Sequence, residues 1–232
     1  MASLCLLAAG GCGGIAAQSR NAEGVRLYEQ GRYQEAVQQF QWAVNTDPQN
    51  ADGYYNLAAV YHRLGALRND RSQLAQAEQY YNQCLDWDEN HRHCHRGLAV
   101  LLVQQGRRDE AVRLIKGWAD RNPTSAEPKI ELARLCEEFQ EPEAAKELLV
   151  DALSADPGNA RALAALGHLR ERSGEQALAL NDYRQSLWCN RFQPELAARV
   201  AALQSGLSPG SLPLRTPRGD TRIAAGNTIP LR

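Results

Sequence analysis

The sequence predicts an all-α protein built as a solenoid of stacked helical hairpins, and three observations carry that expectation. First, a glycine and an alanine five residues apart recur in phase: Gly106 with Ala111 and Gly174 with Ala179, while Gln140 stands in for the glycine before Ala145. The step is 34 residues from Gly106 to Gln140 and again from Gln140 to Gly174. A fixed period of this size marks supersecondary units that bury their apolar faces only by stacking. Second, aromatic residues are 6% of the chain while Ala, Leu, Gln, Glu and Arg are abundant, a balance that favours helix. Third, Asp47-Pro48, Asn122-Pro123 and Asp156-Pro157 fall where helices of such units must end, because the residue before proline is pushed out of helical space.

Length and charge bound the function. The 232 residues, 44% of them apolar, suffice for a continuous core. A formal charge of −1 provides no general field for nucleic acid or acidic membranes. No stretch approaches the roughly 20 apolar residues that span a bilayer, so any membrane attachment must come through the N-terminus. Gly-rich phosphate loops, nucleophile elbows and helical His-Glu-x-x-His patterns are all missing, which argues against an enzyme and implies no cofactor.

Taken in order, residues 1–16 form an apolar run closed by small residues. Ala9-Gly10-Gly11-Cys12 resembles the lipobox of bacterial lipoproteins, a resemblance that implies lipidation at Cys12, a flexible tether from Gly13 and a place in the cell envelope facing the periplasm. The basic residues that open such leaders are missing, as a start codon assigned too late would leave them. Five repeat units follow, at 17–50, 51–91, 92–125, 126–159 and 160–193, with a capping helix at 194–205 and a Pro/Gly-rich tail at 206–232 expected to be disordered.

The small positions are Gly24, Ala58, Ala99, Ala133 and Gly167 on the first helices and Ala36, Ala77, Ala111, Ala145 and Ala179 on the second. With Gly31, Gly65, Gly106 and Gly174 as left-handed caps, this pattern resembles the tetratricopeptide repeat. The resemblance covers about residues 17–193. It implies a right-handed superhelix and a non-catalytic scaffold that holds a peptide of a partner protein in its concave groove. Combined with the leader, it suggests the pilotin and assembly lipoproteins of pilus, secretion and outer-membrane machines.

Departures from the pattern generate their own expectations. Gln140 replaces the capping glycine with Pro142 next but one, so that turn should differ in geometry. Unit two carries seven extra residues, Ala66 to Ser72, about two helical turns. They either lengthen both helices or bulge the turn, where Arg68, Asp70 and Arg71 offer a rim contact. In the capping helix Leu196, Val200 and Leu203 should face back and Arg199 outward. The tail repeats an apolar-basic motif, Leu212-Pro213-Leu214-Arg215 and Ile229-Pro230-Leu231-Arg232.

Helical phasing places Asn21, Tyr28, Tyr55, Asn56, His62 and Arg63 on the groove face of the first two units, and His93, Arg96, Arg134, Glu138, Arg161, His168 and Arg172 further along. One end is aromatic and amide-rich, suited to contact area; the other is mixed-charge, with arginines to pair carboxylates. The carboxylate clamp of chaperone-binding repeats is matched only by Asn56, since Asn21, Val25, His93 and Gly97 occupy its other positions. A second reading is a metal-binding or redox-sensitive module at His91-Arg92-His93-Cys94-His95, where His91, His93 and His95 lie close in sequence. Cys84 and Cys94, on adjacent helices across one loop, form a candidate disulfide if the chain is exported; otherwise they are small core residues.

Overall fold

A computed structural model describes residues 10–206, with the side chains of residues 10–15 outside the description. The tail motifs therefore lie beyond the described residues, as does the Cys12 side chain. Among the described residues all regular structure is helical: α1 (Gly10–Glu29), α2 (Tyr33–Thr46), α3 (Ala51–Arg68), α4 (Arg71–Trp87), α5 (Arg92–Gln104), α6 (Arg108–Arg121), α7 (Ala126–Glu138), α8 (Pro142–Ala155), α9 (Ala160–Arg172), α10 (Gln176–Cys189) and α11 (Pro194–Gln204). None of these helices is long and apolar enough to cross a membrane. They fall into two compact units that divide within α6, the first ending at Ala111 and the second starting at Val112.

Local chemistry sets the helix ends. Asn50, Asp70, His91, Ser125 and Asn159 cap the helices that follow them, each side chain accepting a backbone N–H of the first turn. At the turn inside each hairpin one residue takes the left-handed conformation: Gly31, Asn69, Gly106, Gln140 and Gly174. The next N–H then closes back on the helix, as from Arg32 to the Leu27 carbonyl at 2.9 Å and from Glu141 to the Cys136 carbonyl at 2.8 Å. These are Schellman closures. Gln140 thus makes the same turn as the glycines, with φ of 63°, and the expected difference in geometry is not found. Pro142 does not disturb it because it stands at the start of α8, where no N–H is needed.

The insertion in unit two resolves into longer helices. α3 has 18 residues and α4 has 17, where α5 has 13 and α6 has 14. The turn itself is only Asn69-Asp70. Gly65 is consequently buried inside α3 rather than capping it. A Cβ at Gly65 would lie 2.6 Å from Leu74 Cδ2, so its role is close approach of α3 and α4. The same holds at Gly24 against Phe40, at 2.4 Å, and at Gly167 against Tyr183, at 2.7 Å.

At the N-terminal end α1 starts at Gly10, not at Ala17. Gly13 and Gly14 are helical where a tether was expected, because Ala17 and Asn21 are buried and anchor a helix that propagates back toward its start. In the second unit Ile130, Ala145, Leu149 and Leu166 belong to one core. A separate cluster sets Val200 of α11 against Tyr183 and Ala179 of α10.

Candidate peptide-binding face and a cysteine–histidine cluster

In the first unit, α3 lies between α1 and α5, touching both. This arrangement buries several residues expected to line a groove. Asn21, Tyr55, Asn56 and His62 are each no more than 5% exposed. Phasing a single helix finds the side away from its partner, but neighbouring first helices cover the flanks of that side. The Asn56 side-chain N–H donates to Asn21 Oδ1 at 2.8 Å, so the one match to a carboxylate clamp is spent inside the fold. His62 reaches the Tyr81 hydroxyl at 3.3 Å and Gln104 Oε1 at 2.8 Å. Burial holds its pKa below the ordinary value, against the opposing pull of Gln104.

What stays on the surface is a narrower set. Tyr28 and Tyr33 meet edge to face with centroids 5.2 Å apart, both half-buried. Exposed Arg63 donates from Nε to the Tyr33 hydroxyl at 3.5 Å. His93 and Arg96 are half-buried on α5. The buried Tyr55 ring lies beneath them, 5.6 Å from the rings of both His91 and His93 and within electrostatic reach of Tyr28, Arg92 and Arg96. Burial pushes the Tyr55 hydroxyl well above the usual phenol range, so it stays neutral. Tyr33 escapes the sequence-based face because it opens a second helix, whereas the phasing concerns first helices. A separate cleft of the same unit is lined by Tyr54, Gln41, Gln83 and Tyr80, whose ring stacks on Tyr61 at 5.5 Å.

The second unit treats its charges differently. Arg134 donates to Glu131 at 3.1 Å and to Glu138 at 2.6 Å. Arg161 pairs with Glu127 and with Glu131, the latter at 2.7 Å. Arg172 reaches Glu137 at 3.4 Å. Glu131 is fully buried beneath two arginines. The arginines expected to hold a partner's carboxylates therefore hold the chain's own, since acids recur on α7 opposite the arginines of α9 and one turn to either side of Arg134 on α7 itself. His168 is also buried rather than lining a surface, and burial lowers its pKa. Arg199, expected to face outward, is 6% exposed and forms an ion pair with Glu171, which also accepts the Tyr183 hydroxyl at 2.9 Å.

The three histidines 91, 93 and 95 do not converge on one point. His95 is buried, with Nε2 on the Glu89 carbonyl at 2.9 Å. The His93 ring packs edge-on to His91 with centroids 6.0 Å apart. His91 Nδ1 accepts the Cys94 N–H at 3.1 Å, which leaves the proton of the neutral ring on Nε2, facing Asp52 Oδ1 at 3.0 Å. That contact holds the Asp52 carboxyl below its usual range. Cys84 and Cys94 are joined as a disulfide with Cα atoms 6.5 Å apart. The sulfurs and one His91 nitrogen lie within 4.8 Å of one another, and all three residues are buried. Asp52 was missed because its place beside His91 comes from the stacking of α3 on α5, which local sequence does not encode.

These helices and turns match known repeats. A family described as TPR repeat matches residues 24–65 and one described as tetratricopeptide repeat matches residues 70–135. Residues 24–65 and 70–135 are thus tetratricopeptide repeats. The fold of the chain is similar to that of TTC0263, a thermophilic TPR protein from Thermus thermophilus, with a TM-score of 0.60 at 23% identity over 82% of this chain and 100% of that one. It is also similar to Pseudomonas aeruginosa pilF, with a TM-score of 0.53 at 18% identity over 86% of this chain and 95% of that one. No curated protein sequence matches significantly.

Proposed function

We propose that this repeat protein is a non-catalytic adaptor that captures a peptide segment of a partner protein on the α1–α3–α5 face of its first unit. The observation that carries this reading is the half-buried Tyr28–Tyr33 pair beside exposed Arg63, with His93 and Arg96 on the same unit. Edge-to-face rings give rigid apolar contact at low entropic cost, and a guanidinium at their margin selects a carboxylate or backbone carbonyl. Tetratricopeptide repeats are in general scaffolds of this kind. The second unit then serves as a frame, its inner-helix arginines Arg134, Arg161 and Arg172 committed to internal acids.

The adaptor is proposed to work in the cell envelope, anchored by a lipid on Cys12 and facing the periplasm. The motif Ala9-Gly10-Gly11-Cys12 supports this reading, and with cleavage before Cys12 the anchor would stand on the first remaining residue of α1. Mass spectrometry of the native N-terminus tests the anchor; an unmodified Met1 removes it. Crosslinking in the native cell followed by co-purification tests the adaptor. Tyr28→Ala with Arg63→Glu should reduce partner capture at least tenfold while leaving circular dichroism unchanged, whereas Arg134→Gln should not. Capture undiminished in the first variant would refute the assignment of the face.

A further inference from the structure

We propose that Cys84, Cys94 and His91 form a thiol-dependent zinc site that takes the place of the disulfide when the pair is reduced. Two soft sulfurs and an imidazole nitrogen, all buried and all within 4.8 Å of one another, are the donor set that zinc selects. A tetrahedral ion with metal–sulfur distances of about 2.3 Å sets its two sulfurs about 3.8 Å apart. The Cα separation of 6.5 Å already stands near the long end of what a disulfide spans, so rotating the two side chains opens that gap without moving α4 from α5.

The surroundings suit the ion as well as the ligands do. His91 donates Nε2–H to Asp52, the carboxylate–histidine arrangement that orients a metal-binding imidazole and raises its basicity. Its lone pair is on Nδ1, which lies against the first turn of α5 where Cys94 sits. Cys94 is third in α5, so its thiolate meets the positive end of that helix. When zinc takes the Nδ1 lone pair, the Cys94 N–H released from His91 is next to a thiolate that can accept it. Three protein ligands leave the fourth tetrahedral position for water or another small ligand.

The exchange balances. A dithiol reductant attacks one sulfur through its thiolate and releases the other as a thiolate. Its second thiol then displaces the protein sulfur, so the reductant departs as a cyclic disulfide after giving two electrons. The protein keeps two thiols. Zinc displaces one proton from each, and His91 releases none because its proton stays on Nε2. The signature is therefore two protons released per zinc bound. Oxidation and metal binding exclude each other, which makes the site a reporter of redox state.

The test uses the full chain with Cys5, Cys12, Cys136 and Cys189 replaced by alanine, reduced by a dithiol in mild denaturant and refolded. Cobalt(II), then zinc(II), is the probe. One cobalt per chain with a sulfur-to-metal charge-transfer band, displaced by zinc, is expected for the reduced protein and not for the oxidised one. His91→Asn, which keeps a helix-capping side chain, should remove the nitrogen ligand and weaken binding at least a hundredfold. Asp52→Asn should weaken it tenfold to a hundredfold. His93→Gln should leave binding unchanged. Reduced protein that regains its helical circular dichroism yet shows no charge-transfer band overturns the proposal. So does a band that survives His91→Asn and disappears with His93→Gln, since the ligand would then be the other histidine.

Discussion

The two units spend their polar residues in opposite ways. In the first, neutral groups go inside: Asn21, Asn56, His62 and Tyr55 are buried and bonded to one another or to rings, while Arg63 and the Tyr28–Tyr33 pair are left toward solvent. In the second, charges go inside, with Glu131, Glu171 and Arg199 all buried and paired. A neutral amide costs little to desolvate once bonded, whereas a buried ion is tolerated only with a partner in good geometry. The difference teaches that an arginine on a repeat's inner helix is available to a ligand only where the repeat itself offers no acid. By that criterion the binding face belongs to the first unit.

Breaking the charged core should have the largest effect. Arg199→Ala leaves the Glu171 carboxylate buried with only the Tyr183 hydroxyl, a loss of about 3–5 kcal/mol read by chemical denaturation. Removing the whole polar set, with Arg199→Met, Glu171→Leu and Tyr183→Phe together, should recover most of it. A triple variant as weak as the single one would show that packing at α11, not charge, sets the cost. The neutral core should be more forgiving. Asn56→Ala takes one donor from Asn21 Oδ1 and should cost about 1–3 kcal/mol. Equal losses for the Asn56 and Arg199 variants would erase the contrast between the units.

How much of this could be read beforehand follows from what a position demands. The repeat phase was legible because close helix approach admits only small residues: at Gly24 or Gly167 a Cβ would collide with a ring, and that constraint is written in the chain every repeat. Burial of Asn21, Tyr55 and His62 was not legible, because a helix wheel knows one neighbour and these residues have more. Arg199 misled for a related reason. Its partner Glu171 lies 28 residues away, and nothing local says that a charged residue on a capping helix points inward. Gly65 was misread because the insertion moved the turn four residues on, to Asn69, while leaving a glycine at the old phase.

Acid should act on two buried imidazoles whose pKa is lowered, His62 in the first unit and His168 in the second. His62 and His168 both have pKa values held below the ordinary 6.5 by burial. The unfolded chain therefore binds more protons than the folded one as pH falls. The stability these residues contribute is fully present above about pH 6.5 and is lost progressively below it. His62 faces only the Tyr81 hydroxyl and the Gln104 amide among its bonded partners, whereas His168 feels the opposing charges of Arg172, Glu171 and Arg199. His62→Gln and His168→Gln should each flatten the fall in denaturation midpoint between about pH 7 and about pH 5.5. A fall unchanged in either variant would show that the buried imidazole replaced there carries none of the acid sensitivity.

The smallest effect concerns the turns, where among the described residues each unit has one non-glycine residue in left-handed conformation: Asn69 in the first, with φ of 52°, and Gln140 in the second, with φ of 63°. For most side chains this conformation costs about 1–2 kcal/mol, partly offset on substitution by the extra freedom that glycine brings to the unfolded chain, about 0.4–1 kcal/mol. Asparagine is excused most of that strain because its short polar side chain tolerates the region. Gln140→Gly should therefore stabilise the protein by about 0.5–1 kcal/mol, and Asn69→Gly should change it by less than about half of that. Both residues sit in the same Schellman closure, with the following N–H bonded at 2.9 Å after Asn69 and 2.8 Å after Gln140, so hydrogen bonding does not distinguish them. If Asn69→Gly stabilised as much as Gln140→Gly, the gain would reflect the turn geometry alone and the identity of the side chain would be irrelevant there.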